Sequence, residues 1–180
     1  MRRAFPITQS HRRAPRRDDR WSRAVEGVKI TGVDATESIE SRNKAVVQRY
    51  WVAMGTRDWD GMRALLTDDA HYADIGTRLS DATGRDAVVD RVRTGLEPLS
   101  GYEQLPGANL VAEGDLVMTE HTERWHFHTG EVVDHPFVSV TQLRDGRICR
   151  WHDYSNIANL VENAPRWWLE HMKDAAARQR

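Results

Sequence analysis

Val140-Thr-Gln-Leu-Arg-Asp-Gly-Arg-Ile-Cys-Arg-Trp-His-Asp-Tyr154 is the stretch on which the reading of the fold turns. Asp145-Gly146 is a tight-hairpin dipeptide, and the residues on either side alternate, which predicts antiparallel strands at 132–143 and 147–154. Working upstream, a turn at Thr129-Gly130 precedes a strand at 116–128, and Glu113-Gly114-Asp115 separates that strand from one at 109–112. Before this meander the apolar period is 3.6 rather than 2. Val88, Val89, Val92 and Leu96 mark a helix at 85–96, and residues 70–75 read as a short strand. Asp58 is placed to cap a short helix with Trp59, Met62, Leu65 and Leu66 inward, after a helix at 39–54 that carries Val46, Val47, Tyr50, Trp51 and Met54 and ends at Gly55 as its C′ residue. Downstream, Pro165 opens a last helix with Trp167, Trp168 and Leu169. Helices first and a curved sheet later is an α+β arrangement, with the helices packed on one face.

The 180 residues suit one domain, expected at 36–175, behind a tail at 1–35. Residues 1–23 hold eight arginines against Asp18 and Asp19, a net +6 that leaves −7 on the rest of a chain whose total is −1. The tail has little apolar content, so it is read as a disordered, dispensable solvated segment; a nucleic-acid arm or a targeting peptide are the other readings. Arg2-Arg3-Ala4-Phe5 suggests a twin-arginine signal, but the polar run from Pro6 to Arg17 contains no apolar region to complete one. Mean hydropathy is −0.68 and no apolar stretch is long enough to cross a membrane, so a soluble, cytoplasmic protein without nucleic-acid or membrane partners is expected. Cys149 is the only cysteine, which excludes an internal disulfide and a thiolate zinc site. Seven tryptophans promise aromatic walls.

Alternation selects the candidate site. Val117, Thr119, His121, Glu123, Trp125 and Phe127 share one strand face, and an imidazole and a carboxylate on an apolar face are costly unless paired or facing a cavity. Cys149, Trp151 and Asp153 are assigned to one face of the last strand, opposite Ile148, Arg150 and His152, while Ala70, Tyr72 and Asp74 share a face of the first. A concave sheet would gather Tyr72, Asp74, His121, Glu123 and Asp153 between aromatic walls. The plain readings are that Asp74 caps a turn, that Asp153 pairs with Arg147 or Arg150, that His121 and Glu123 form a structural pair, and that His71 and His152 are packing or surface residues. His126, His128, Glu131 and His135 together resemble part of a cupin metal-ligand set, but His126 and His128 sit opposite Trp125 and Phe127, and three helices precede the sheet. No metal or cofactor is expected.

The helix hairpin, the segment Thr67-Asp-Asp-Ala-His-Tyr-Ala-Asp-Ile75, the helix start Gly84-Arg-Asp-Ala87 and the strand end Trp151-His-Asp-Tyr154 resemble the NTF2-like, or SnoaL-like, superfamily, and within it the limonene-1,2-epoxide hydrolases. The resemblance covers about residues 40–165 and implies an NTF2-like cone. It places a water-activating base on Asp153 and water-positioning groups on Tyr72 and Asp74. The arginine and proton-donating aspartate of that pattern fall on His121 and Glu123, where a histidine cannot form the arginine's bidentate fork. Ketosteroid isomerase is also resembled, with its base on Asp74, its oxyanion tyrosine on Tyr50 and its second oxyanion donor on Ser139. Trp125, Phe127 and Trp151 complete the expected substrate-binding set. The function implied is cofactor-independent acid/base catalysis on a small, largely apolar oxygenated substrate. Epoxide hydrolysis comes first, then isomerisation or polyketide cyclisation, with a non-catalytic ligand-binding or dimerisation module as the alternative of another class. A homodimer is expected.

Overall fold

A computed structural model of the chain describes residues 38–75 and 81–178. The basic tail lies outside the described residues. Ser38 caps α1 (Ile39–Gly55) by accepting from the Ser41 N–H, and the face of α1 that bears Val46, Val47, Tyr50, Trp51 and Met54 is buried. The turn that follows is not built on Gly55, which is the last helical residue. Arg57 takes the positive φ of +58°, held by its guanidinium donating to the Leu99 carbonyl (2.5 Å). Asp58 caps α2 (Trp59–Ala64) through the Gly61 N–H, as its short polar side chain at that position predicts.

β1 (Leu66–Ile75) and the two-residue β2 (Ala82–Thr83) lead to α3 (Arg85–Leu96), then to β3 (Gly101–Gln104), β4 (Asn109–Glu113), β5 (Leu116–His126), β6 (Val132–Arg144) and β7 (Arg147–Ser155). Two helices close the described chain, α4 (Ile157–Asn163) and α5 (Arg166–Arg178). The sheet runs β2-β1-β7-β6-β5-β3, with β4 also paired to β5. The meander is antiparallel, but β1 joins β7 in parallel, with Tyr72 opposite Trp151 and Asp74 opposite Asp153. The architecture is α+β: helices against a mixed, open, curved sheet.

One strand face is corrected and two elements are added. A bulge between Gln142 and Leu143 on β6 pairs Leu143 with Ile148 and Gln142 with Arg150, so Cys149 becomes the extra residue. Ile148 is therefore buried and Cys149 only half-buried, the reverse of strict alternation. β3 and α4, which the periodicity did not separate from loops, are formed. Every member of the predicted inner face of β5, from Val117 to Trp125, is buried, and so is Phe127 just beyond the strand.

Candidate functional site

A cavity of about 290 Å³ opens between the concave face of the sheet and the helices α3, α4 and α5. Asp153 stands in its wall, 6% exposed, because β7 alternates inward again after the bulge. Ser139 Oγ (2.5 Å) and Trp151 Nε1 (2.6 Å) donate to Asp153 Oδ1, and Tyr72 Oη donates to Oδ2 (3.3 Å). Burial pushes the Asp153 carboxyl well above the usual carboxylate range, and the Asp74 charge adds to it. The hydrogen bonds from Ser139 and Trp151 act in the opposite direction without prevailing.

Asp74 is the register partner of Asp153 on the neighbouring strand and shares its face. Arg91, from the inward side of α3, places Nη2 3.1 Å from Asp74 Oδ2, with its guanidinium 5.9 Å from the centre of the Tyr72 ring. The sheet and the helix thus contribute opposite charges to one corner of the cavity.

Farther along the sheet, Glu123 lines the same cavity at 4% exposure. Tyr102 Oη donates to Glu123 Oε1, and Trp125 Nε1 donates to Oε2 (2.8 Å). Burial raises this carboxyl to about 7 against those two hydrogen bonds, with a further upward push from Asp74. His135 faces it across β5 and β6 and also lines the cavity, 6% exposed, with Nδ1 lacking a hydrogen-bond partner.

Residues 47–151, more than half of the chain, match the family model of the SnoaL-like domain. The chain belongs to the SnoaL-like family. A search of curated proteins found no match. Among solved structures, this SnoaL-like chain is similar to an LEH-like epoxide hydrolase from M. tuberculosis, with a TM-score of 0.61 and 24% identity over 70% of this chain and 91% of that one. It is similar also to a proposed polyketide cyclase from Xanthomonas campestris pv. campestris (TM-score 0.62, 24% identity, 71% and 100% covered) and to an NTF2-like protein from Burkholderia xenovorans LB400 (TM-score 0.61, 16% identity, 70% and 98% covered). At such identities these likenesses establish the fold.

Of the residues singled out in the sequence of this SnoaL-like protein, Asp153, Asp74, Glu123, Tyr72, Trp125 and Trp151 line the cavity. His121, Tyr50, Ser139 and Phe127 do not. His121 is packed between the rings of Trp51 (4.3 Å) and Phe137 (4.1 Å), with Nδ1 in contact with Gln104 Nε2. Burial lowers its pKa to about 4, with His135 contributing, so it is a neutral imidazole beneath the cavity rather than a cation in it. Tyr50 is wholly buried against Trp151 (5.0 Å), and its Oη has no hydrogen-bond partner. Ser139 acts through Asp153, and Phe127 packs on Trp168 (5.9 Å).

The cupin-like set does not converge. His126 Nε2 donates to Glu103 Oε1 (2.8 Å), His128 lies over Trp167 (4.2 Å), and His135 turns into the cavity. Among the described residues no group of three histidine, cysteine, aspartate or glutamate side chains is arranged to hold a metal. His71 Nδ1 and His152 Nε2 meet each other at 3.3 Å and do not line the cavity. Arg91 and the position of His135 were not read from the sequence. The inward spacing of Arg91 with Val88 and Val92 on α3, and the alternation of His135 with Phe137 and Ser139 on β6, were the available signals.

Proposed function

We propose that the cavity performs cofactor-independent acid/base catalysis on a small, largely apolar oxygenated substrate, and that opening of an epoxide by water is the reaction it suits best. The carrying observation is the split pair: Asp74 and Asp153 stand side by side, one in an ion pair with Arg91, the other buried among neutral donors. Two adjacent carboxylates in an apolar cavity do not both ionise cheaply, so one holds a proton. Arg91 offsets the charge on Asp74, and burial leaves the proton on Asp153.

Epoxide opening needs a proton at the departing oxygen and a base for the attacking water. A water O–H gives its proton to Asp74 as the new C–O bond forms; the epoxide C–O bond breaks, and its oxygen takes the proton of Asp153. The resulting Asp153 carboxylate is received by Ser139, Trp151 and Tyr72, and the proton on Asp74 returns to Asp153 to close the cycle. This reverses the roles implied by the family resemblance, which puts the base on Asp153. The guanidinium of that pattern is replaced here by Arg91, which reaches Asp74 from α3 rather than from position 121. The likeness to a protein described as an LEH-like epoxide hydrolase supports the reading.

A neutral Asp153 beside an ionised Asp74 also suits enolisation of a ketone, the step shared by isomerases and cyclases. Tyr50, the oxyanion donor of the isomerase pattern, is outside the cavity and leaves Asp153 to take that part. Turnover of a panel of small epoxides and enones by the wild type, Asp74→Asn and Asp153→Asn separates the possibilities. Epoxide hydrolysis that falls by on the order of 10²–10⁴ in both variants, with ligand affinity little changed, supports the proposal. Hydrolysis that survives in Asp153→Asn contradicts it; enone isomerisation without epoxide opening selects the second reading, and binding without turnover selects the ligand-binding module.

A further inference from the structure

Two inner-face residues of β6, Ser139 and His135, each stand beside a carboxyl of the cavity wall. Ser139 is the register partner of Asp153, and His135 is the register partner of Glu123. Four residues of strand separate the two levels, about 13 Å of extended chain before curvature brings the ends nearer. Phe137, 8% exposed, lies between them and lines the cavity with Trp125 and Trp151. The cavity wall therefore carries two polar sets, Asp74 with Asp153 and Glu123 with His135, with Phe137 between their levels on β6.

Packing of β6 does not by itself call for a polar side chain at position 135. Val133 and Phe137, the inward neighbours of His135 on β6, are apolar, and Nδ1 of His135 is buried without a partner, which costs free energy that an apolar side chain would not. Burial also keeps this imidazole neutral, so it can donate through one nitrogen and accept through the other. Each carboxyl oxygen of Glu123 already accepts one hydrogen bond, from Tyr102 or Trp125, which fixes the group and leaves lone pairs for a ligand.

We infer that the substrate carries a second oxygen function, a hydroxyl or a carbonyl, held by His135 and Glu123 while the reacting group lies at Asp74 and Asp153. This rests on the cavity being the substrate site, and a binding experiment tests it independently of the reaction. Terpin, α-terpineol and limonene share one ten-carbon skeleton and carry two, one and no hydroxyl groups. Trp125, Trp151 and Trp168 line the cavity, so quenching of tryptophan fluorescence reports occupancy.

The full-length wild type is expected to bind terpin about tenfold more tightly than α-terpineol, the worth of one added buried hydrogen bond. His135→Phe is expected to bring the two affinities within about twofold of each other, and His135→Gln, which keeps a donor and an acceptor, to preserve the preference. Thermal melting of both variants establishes that they are folded. Absence of a preference for terpin in the wild type, whether all three ligands bind alike or none binds, overturns the inference, as does a preference that survives in folded His135→Phe. If His135→Phe does not fold, loss of the preference in His135→Gln overturns it and retention supports it. Because no turnover is measured, failure of the epoxide hydrolase reading leaves this result standing.

Discussion

Glu123 and His121 stand two residues apart on one strand face, and the same burial drives them in opposite directions. Glu123, at about 7 in the fold against 4.5 as its ordinary value, keeps a proton that the unfolded chain releases. Its contribution to stability is therefore fully present below about 4.5 and is lost as pH rises through about 7, a difference of roughly 3 kcal/mol. His121, lowered from 6.5 to about 4, refuses a proton that the unfolded chain binds, so its contribution is gained as pH rises from about 4 to 6.5. Glu123→Gln imitates the protonated carboxyl permanently. Its melting temperature is expected to match the wild type near pH 4.5 and to exceed it near pH 8. Parallel melting curves for the two proteins across that interval would contradict the assignment. Alternation along β5 was enough to put His121 and Glu123 on one inner face. It could not show depth, because the burial of His121 comes from Trp51 on a distant helix and Phe137 on the next strand. Arg91 was hidden for a related reason: an arginine at the edge of a helical apolar stripe declares its role only when the carboxylate it meets is in place.

At the scale of elements, strong period and strong turns were legible and weak ones were not. α3 was read to its bounds from four apolar residues, and Asp145-Gly146 fixed the β6–β7 hairpin, with φ values of +52° and +73° that suit such a turn. β3 has four residues and no alternation in burial, and its place depends on pairing with β5; with it went Tyr102 and Gln104, which contact Glu123 and His121. Pro136 sits inside β6, one position outside the residues paired with β7, where a missing N–H is tolerated. The outer wall of the cavity belongs to α4 and α5, beyond the matched family segment. Trp168 of α5 anchors that wall: it is 5% exposed, packs on Trp125 (5.5 Å) and Phe127, and donates from Nε1 to the Gly95 carbonyl (3.0 Å). Trp168→Ala is expected to cost about 3–5 kcal/mol and to weaken ligand binding, read by denaturant unfolding and by titration. A loss under about 1 kcal/mol would show that α5 does not anchor the wall.

For the molecule as a whole, the order of helices and strands followed from local pattern, whereas the site followed from a contact that local pattern cannot contain. The parallel union of β1 with β7 joins segments some eighty residues apart, and it alone brings Asp74 beside Asp153. The same pairing sets Ile75 next to Tyr154, 42% and 47% exposed, with Val138 beyond them on β6, and so builds an apolar row across three strands. The homodimer expected from the sequence is tested at this row. Sedimentation at micromolar concentration is expected to give a dimer that Tyr154→Arg weakens, and a wild-type monomer would refute it. The proposed chemistry requires the adjacent carboxyls to be split, with the proton on Asp153 and the charge on Asp74. Infrared spectroscopy of the carbonyl stretch of protonated carboxylic acids, at about pH 8 so that Glu123 is mostly ionised, tests it without a substrate. A protonated-carboxyl band is expected in the wild type, retained in Asp74→Asn and lost in Asp153→Asn; a band that vanishes with Asp74 and persists without Asp153 would contradict the split.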